Sequence, residues 1–271
     1  MNKETLYIAR QKRGKIEDRE LNCYSSYSEI QLRELLRSNL PTERTIGATI
    51  LGQRKVGNSV GDLCNALTRE KALYPKIAIC EALKSIGKES VEPLSSLIGI
   101  VGNNQETVLP EKYFKKKSYP LARDIAVRTI ISIGRSAIHK IIELSSTNDK
   151  YLCSQIVDAL GGLLHKTKDL RILGALIKIF EQNREDEFLL WKTIRAFSAV
   201  ESEEAACLIL SCLKHSQPAI RWETARTLGL IASCETVFLS EINMLTADAN
   251  KQVRQASLDA VNRIKQRDKI C

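Results

Sequence analysis

One helical signature recurs seven times along the chain, over residues 44–54, 76–86, 123–133, 153–163, 190–200, 221–231 and 254–264. Taking Gly52, Lys84, Ile131, Gly161, Ser198, Gly229 and Asn262 as equivalent positions, the copies return at intervals of 32, 47, 30, 37, 31 and 33 residues. A period of this length holds two helices and two turns. A unit that small cannot bury its own apolar face, so the copies must stack side by side and share a core.

The columns of the repeat carry this reading. Four residues before the reference position stand Ala48, Cys80, Val127, Val157, Ile194, Ala225 and Leu258, and one before it stand Leu51, Leu83, Ile130, Leu160, Phe197, Leu228 and Val261. Two after it, six copies continue the three-to-four spacing with an aliphatic residue, and only the first breaks it, with Arg54. Pro41, Pro120 and Pro218 fall in phase eleven before the reference, with Pro75 two positions late. Proline is tolerated in a first helical turn, so these residues mark helix starts.

Companion helices are expected at 59–67, 91–101, 138–144, 170–180, 205–213 and 237–245, each rich in aliphatic residues. Ahead of the first copy, Ser28 with Gln31 fits a capping box opening a helix that turns Leu32, Leu35 and Leu36 inward. Residues 1–26 mix basic and acidic side chains with few apolar ones, which fits either a loosely held basic cap or a frayed tail.

The stretches Arg44-x-x-Gly-Ala48-x-x-Leu51-Gly52 and Arg221-x-x-x-Ala225-x-x-Leu228-Gly229 resemble the second helix of HEAT repeats, in the short form of bacterial HEAT-like and phycobilin-lyase-like proteins. The resemblance spans about residues 27–265. It implies an all-α fold, an α-solenoid wound as a right-handed superhelix of about seven HEAT-like helix pairs, forming one domain over 27–271. It implies little about activity, because such arrays serve as adaptors, scaffolds, lyases and DNA-repair proteins. The family places an acid in the turn and an arginine on the second helix as a ladder between units. Here Arg44, Lys76, Arg123, Arg221 and Arg254 hold the basic place, while Cys153 and Leu190 interrupt it.

Composition bounds the alternatives. At 271 residues and 44% hydrophobic content the chain can bury a sizeable core, and with only 5% aromatics that core must be packed by aliphatic side chains. No stretch reaches the roughly 18 apolar residues of a membrane span, and residues 1–15 carry charges where a signal peptide would be apolar, so a cytoplasmic protein without membrane contact is expected. The eight cysteines are scattered with no C-x-x-C spacing, so no metal and no cofactor is expected. P-loop, dinucleotide, zinc-protease and serine-hydrolase signatures are absent.

Charge is unevenly placed. Residues 111–140 hold eight basic and two acidic side chains, six of the formal net charge of +9. The long third interval carries a basic insertion at 102–119, in which Lys112, Lys115, Lys116 and Lys117 interleave with Tyr113, Phe114 and Tyr119. Such a loop can grip a phosphate backbone, and it can equally be a solvated insertion.

Seven and three residues before the reference, one helical turn apart, stand Asp124 and Arg128, Ser154 and Asp158, Trp191 and Arg195, Trp222 and Arg226 in successive copies. Both tryptophans of the chain share one column, each with an arginine a turn later. The HEAT resemblance places this helix on the concave side, which puts Trp191, Arg195, Trp222, Arg226, Arg128 and Asp158 along one groove. Tryptophan with arginine is a frequent hot-spot composition; alternatively the indoles cover the junctions between copies with the arginines stacked on them. The first expectation is a non-enzymatic scaffold that holds a protein or other anionic partner. The alternative is a nucleic-acid binder or HEAT-like alkylpurine DNA glycosylase, to which Asp158, Arg195 and Trp222 lend the residue types; the aspartate that family places one turn after a tryptophan is here an arginine.

Overall fold

A computed structural model describes residues 3–110, 122–233 and 236–268, and among these every regular element is helical. The helices are α1 (Lys3–Gln11), α2 (Asp18–Asn22), α3 (Glu29–Leu35), α4 (Pro41–Gln53), α5 (Val60–Arg69), α6 (Leu73–Ile86), α7 (Val91–Ser95) and α8 (Ile125–Ile133). They continue with α9 (Ile138–Leu144), α10 (Lys150–Thr167), α11 (Arg171–Gln182), α12 (Glu187–Phe197), α13 (Glu203–Ile209), α14 (Pro218–Ile231), α15 (Thr236–Met244) and α16 (Lys251–Asp268). The seven signature copies are α4, α6, α8, α10, α12, α14 and α16.

The chain packs as two compact units, Met1–Asn103 with Asp124–Lys140, and Asn104–Arg123 with Ile141–Cys271. In the first unit α4 lies against α6 and α6 against α8, with α3, α5 and α7 packed on their sides. In the second, α10, α12, α14 and α16 follow one another in the same way, with α11, α13 and α15 as companions. This serial stacking of second helices is the packing of an α-solenoid.

The reference column sets the closeness of the stack. A methyl group on Gly52 would lie 2.6 Å from the Ala82 Cα, and one on Gly229 2.7 Å from the Ala260 Cα. Glycine therefore admits the backbone of the next second helix in both units. The flanking columns are buried as their periodicity predicts, with Leu51, Leu83, Ile130, Leu160, Phe197 and Leu228 fully enclosed. The last copy departs: Leu258 is 45% exposed, because α16 packs against α14 and α15 and its far face has no described neighbour.

Local chemistry explains the ends of the elements. Pro41 and Pro218 open α4 and α14 in their first turns. Ser28 and Gln31 form the expected capping box, and Leu32 is fully buried behind it. The companion expected over 91–101 ends at Ser95, since Gly99 (φ +81°) and Gly102 (φ +93°) turn the chain and the Gly99 amide donates to Asp124 Oδ2 at 2.8 Å. The other oxygen of Asp124 accepts from the Val127 amide and caps α8. Part of residues 1–26 is tied to the first copies: Thr45 Oγ1 donates to the Gly14 carbonyl at 2.7 Å, and Arg54 donates to the carbonyls of Ser25 and Tyr27. The charged residue that breaks the apolar column of the first copy thus holds the segment in front of it.

An ionic ladder joins neighbouring copies. Arg44 forms a two-point contact with Glu70 (2.7 and 3.0 Å), and Arg221 repeats it with Asp248 (2.7 and 3.0 Å). Each acid sits in the turn before the next second helix. Where Cys153 interrupts the basic column, Lys150 reaches Asp186 at 2.9 Å. Burial pushes the Asp186 carboxyl up, and the Leu189 amide and Lys150 outweigh it, so its pKa lies below the ordinary range.

Candidate functional site

The column three before the reference pairs Asp158 of α10 with Arg195 of α12, Oδ1 to Nη2 at 2.8 Å. Equivalent positions in adjacent copies therefore touch, which fixes α10 and α12 in register. The other carboxylate oxygen, Oδ2, meets Lys192 Nζ at 2.8 Å. That ammonium is 0% exposed and also donates to the Ser154 carbonyl at 2.9 Å, with the Phe188 ring 5.2 Å away. Burial alone would raise the Asp158 pKa; the two cations outweigh it and hold the carboxyl below its usual range.

Arg195 does two further things. Its guanidinium lies 4.4 Å from the centroid of Trp191, and its Nη2 reaches Glu106 Oε2 at 2.8 Å. Glu106 belongs to the irregular stretch 104–110 that opens the insertion, and its carboxylate also meets Arg123 Nε at 3.4 Å. The side chain of Glu106 retains only 14% exposure. A short length of the chain thus lies over α10 and α12 and closes the ion network from above.

The next helix repeats the theme. Arg226 lies 5.8 Å from the Trp222 ring and is held by Glu223, with Nε to Oε1 at 2.8 Å. Arg226 Nη2 also reaches Ser198 Oγ at 3.4 Å, and Thr227 Oγ1 donates to the Ile194 carbonyl at 3.2 Å, so α14 is locked to α12. Trp191 and Trp222 are buried, at 5% and 8% exposure. In both copies an arginine therefore lies over a buried indole.

Arg195 contacts both Asp158 and Trp191, and Trp222 with Arg226 follows on the adjoining helix. Arg128 is exposed on α8, in the first unit. Lys112, Lys115, Lys116 and Lys117 lie outside the described residues. Asp158 presents no free edge to solvent, since both oxygens are taken by cations and its side chain is 9% exposed.

Sequence reasoning missed Glu106, Lys192 and Glu223. A signal for two of them exists in the column six before the reference, which runs Ile46, Ala78, Ile125, Gln155, Lys192, Glu223 and Ala256. Polar residues occupy it in three consecutive copies, and all three are at most 2% exposed. Gln155 Oε1 and Trp191 Nε1 are enclosed in this region, with no hydrogen bond to either among the described residues.

Cys23, Cys64, Cys80, Cys153, Cys207 and Cys212 are free, and burial raises Cys64 and Cys153 to about 11, which keeps both protonated and unreactive. Among the described residues no helix is long and apolar enough to cross a membrane.

The chain is an all-α helical-repeat protein whose second unit buries a polar, tryptophan-bearing face. No family model matches it, and no curated protein matches its sequence. Among solved structures it is similar to an engineered protein solved by the Northeast Structural Genomics Consortium, with TM-score 0.46, 14% identity and coverage of 88% of this chain and 68% of that one. It is also similar to a designed armadillo repeat protein in complex with the peptide (KR)4, with TM-score 0.44, 14% identity and coverage of 86% and 98%. Likeness this loose decides nothing about function, which must be argued from the side chains above.

Proposed function

We propose that the protein is a non-enzymatic HEAT-like scaffold that holds a protein partner on the face formed by α10, α12, α14 and α16. The observation that supports this reading is that the face already receives a stretch of polypeptide: Glu106 of the 104–110 segment is bound by Arg195, which is itself stacked on Trp191. A guanidinium held over an indole and tied to Asp158 is fixed before a carboxylate arrives, so little conformational freedom is lost on binding. Buried aromatic and arginine anchors surrounded by fixed polar groups are the composition of interface hot spots. Farther along the same column the face is open, with Gln255 and Asp259 exposed on α16.

Site-specific photo-crosslinking tests this. A crosslinking residue placed at Gln255 or Asp259 is expected to trap partners that one placed at Lys178 or Glu181, exposed on the companion helix α11, does not. Equal trapping from both helix layers would contradict a second-helix contact face.

A further inference from the structure

We infer that a cleft of the first unit, between the end of α3 and the last turns of α5, is a binding site for a phosphoryl dianion. The inference does not depend on the scaffold reading, which concerns α10, α12, α14 and α16. The cleft has a volume of about 290 Å³ and is lined by Arg37, Asn65, Thr68 and Arg69. It brings together two guanidiniums and two neutral polar groups, and among the described residues no carboxylate lines it. Pockets for drug-sized ligands run from roughly 300 to 1,000 Å³, so this one suits a single small anionic group.

Local structure fixes each guanidinium at one edge. Asp62, Asn65 and Arg69 stand at i, i+3 and i+7 on α5 and so share a face. Arg33 on α3 and Arg37 four residues later both reach Asp62, Arg37 through Nη2 to Oδ1 at 3.1 Å. Arg69 is anchored within its own helix, its Nε donating to the Asn65 carbonyl at 3.1 Å. Among the described residues, Nε and Nη1 of Arg37, both terminal nitrogens of Arg69 and the side-chain amide of Asn65 donate to no protein group. Donors positioned in this way lose little freedom when an anion binds.

The charge balance selects a dianion. Three cations, Arg33, Arg37 and Arg69, stand against one acid, Asp62, whose oxygens are both taken and whose side chain is 11% exposed. The last carbonyls of α5 oppose an anion with about half a charge, less than the two that remain. The carbonyls nearest the cleft are also occupied: that of Asn65 accepts from Thr68 Oγ1 at 2.9 Å and from Arg69, and that of Ala66 accepts from the Glu70 amide. Glu70 itself is held by Arg44. A guanidinium matches phosphate oxygens with two parallel donors, and two of them balance a phosphate monoester or free phosphate where a carboxylate leaves one unmatched.

The test is isothermal titration calorimetry of the full chain at low salt with inorganic phosphate, methyl phosphate and acetate. Inorganic phosphate is expected to bind at one site per chain, and acetate at least about tenfold more weakly. Arg69→Gln and Arg37→Gln are each expected to weaken phosphate binding at least about tenfold, the worth of one charge-assisted hydrogen bond, with circular dichroism unchanged. Lys88→Gln, which removes an exposed cation outside the cleft lining, is expected to bind phosphate as the unmodified chain does. Methyl phosphate bound more tightly than inorganic phosphate assigns the cleft to a phosphorylated small molecule, and equal or weaker binding assigns it to free phosphate. No phosphate heat above that of chloride, acetate bound as tightly as phosphate, or binding retained in both arginine variants would overturn the inference.

Discussion

Lys192 Nζ lies 2.8 Å from Asp158 Oδ2, and the ammonium is wholly enclosed between α10 and α12. The pair joins two consecutive copies at the place where the surface ladder of arginines is interrupted by Cys153 and Leu190. The charge that elsewhere ties copies at their edge has moved inward.

Breaking this pair from one side is expected to be severe. Asp158→Asn leaves Lys192 and Arg195 without their carboxylate and is expected to cost about 3–5 kcal/mol in urea unfolding. Lys192→Met with Asp158→Asn removes the pair together and is expected to cost less than the sum of the two single changes, by the coupling a double-mutant cycle reads.

The glycines of the reference column set the spacing of the stack. Gly229→Ala places a methyl group 2.7 Å from the Ala260 Cα, a backbone atom that cannot move alone. Overpacking of this kind costs about 1–3 kcal/mol and outweighs the roughly 1 kcal/mol of helix propensity that alanine gains. Gly52→Ala against Ala82 is expected to behave alike, whereas Gly174→Ala on α11, where a methyl group would meet nothing, is expected to be neutral or stabilising.

Arg221 holds Asp248 by two parallel hydrogen bonds and also donates to the carbonyls of His215 and Ser216. Arg221→Lys keeps the charge and loses the fork, and is expected to lower stability by about 1 kcal/mol. Thermal unfolding of this variant beside Arg44→Lys reads the two rungs separately.

Acid should weaken the fold through these carboxylates. The Arg221 hydrogen bond lowers Asp248; burial would raise the other three, and it is outweighed by Lys192 and Arg195 at Asp158, by Arg44 and the Ala72 amide at Glu70, and by the Leu189 amide and Lys150 at Asp186. A carboxyl whose folded pKa is depressed contributes its full stability above its unfolded value, near 4, and loses it as pH falls through the lower folded value. Urea midpoints are therefore expected to be level from neutral pH down to about 5 and to drop steeply below 4, and Asp248→Asn is expected to blunt that drop.

Much of the helical frame was legible because its signals are local and repeated. Apolar columns at 3.6-residue spacing located α4, α6, α8, α10, α12, α14 and α16, and Ser28, Pro41 and Pro218 marked helix starts by chemistry that acts within one turn. The stop of α7 at Ser95 was not legible, since it depends on Asp124 reaching Gly99 across 25 residues. The tryptophan and arginine columns were found, but their burial was not, because what covers Arg195 comes from an insertion outside the repeat. Only the polar run Gln155, Lys192 and Glu223 in an otherwise apolar column hinted that charge lay inside the stack.

Trp191 and Trp222 are the chain's only two tryptophans, so acrylamide quenching of indole emission reads the covered face directly. The unmodified chain is expected to be quenched weakly, and the Glu106→Gln chain clearly more, with unchanged far-ultraviolet circular dichroism. Emission already quenched as readily as free tryptophan, or no difference between the two chains, would contradict a face closed by its own 104–110 segment.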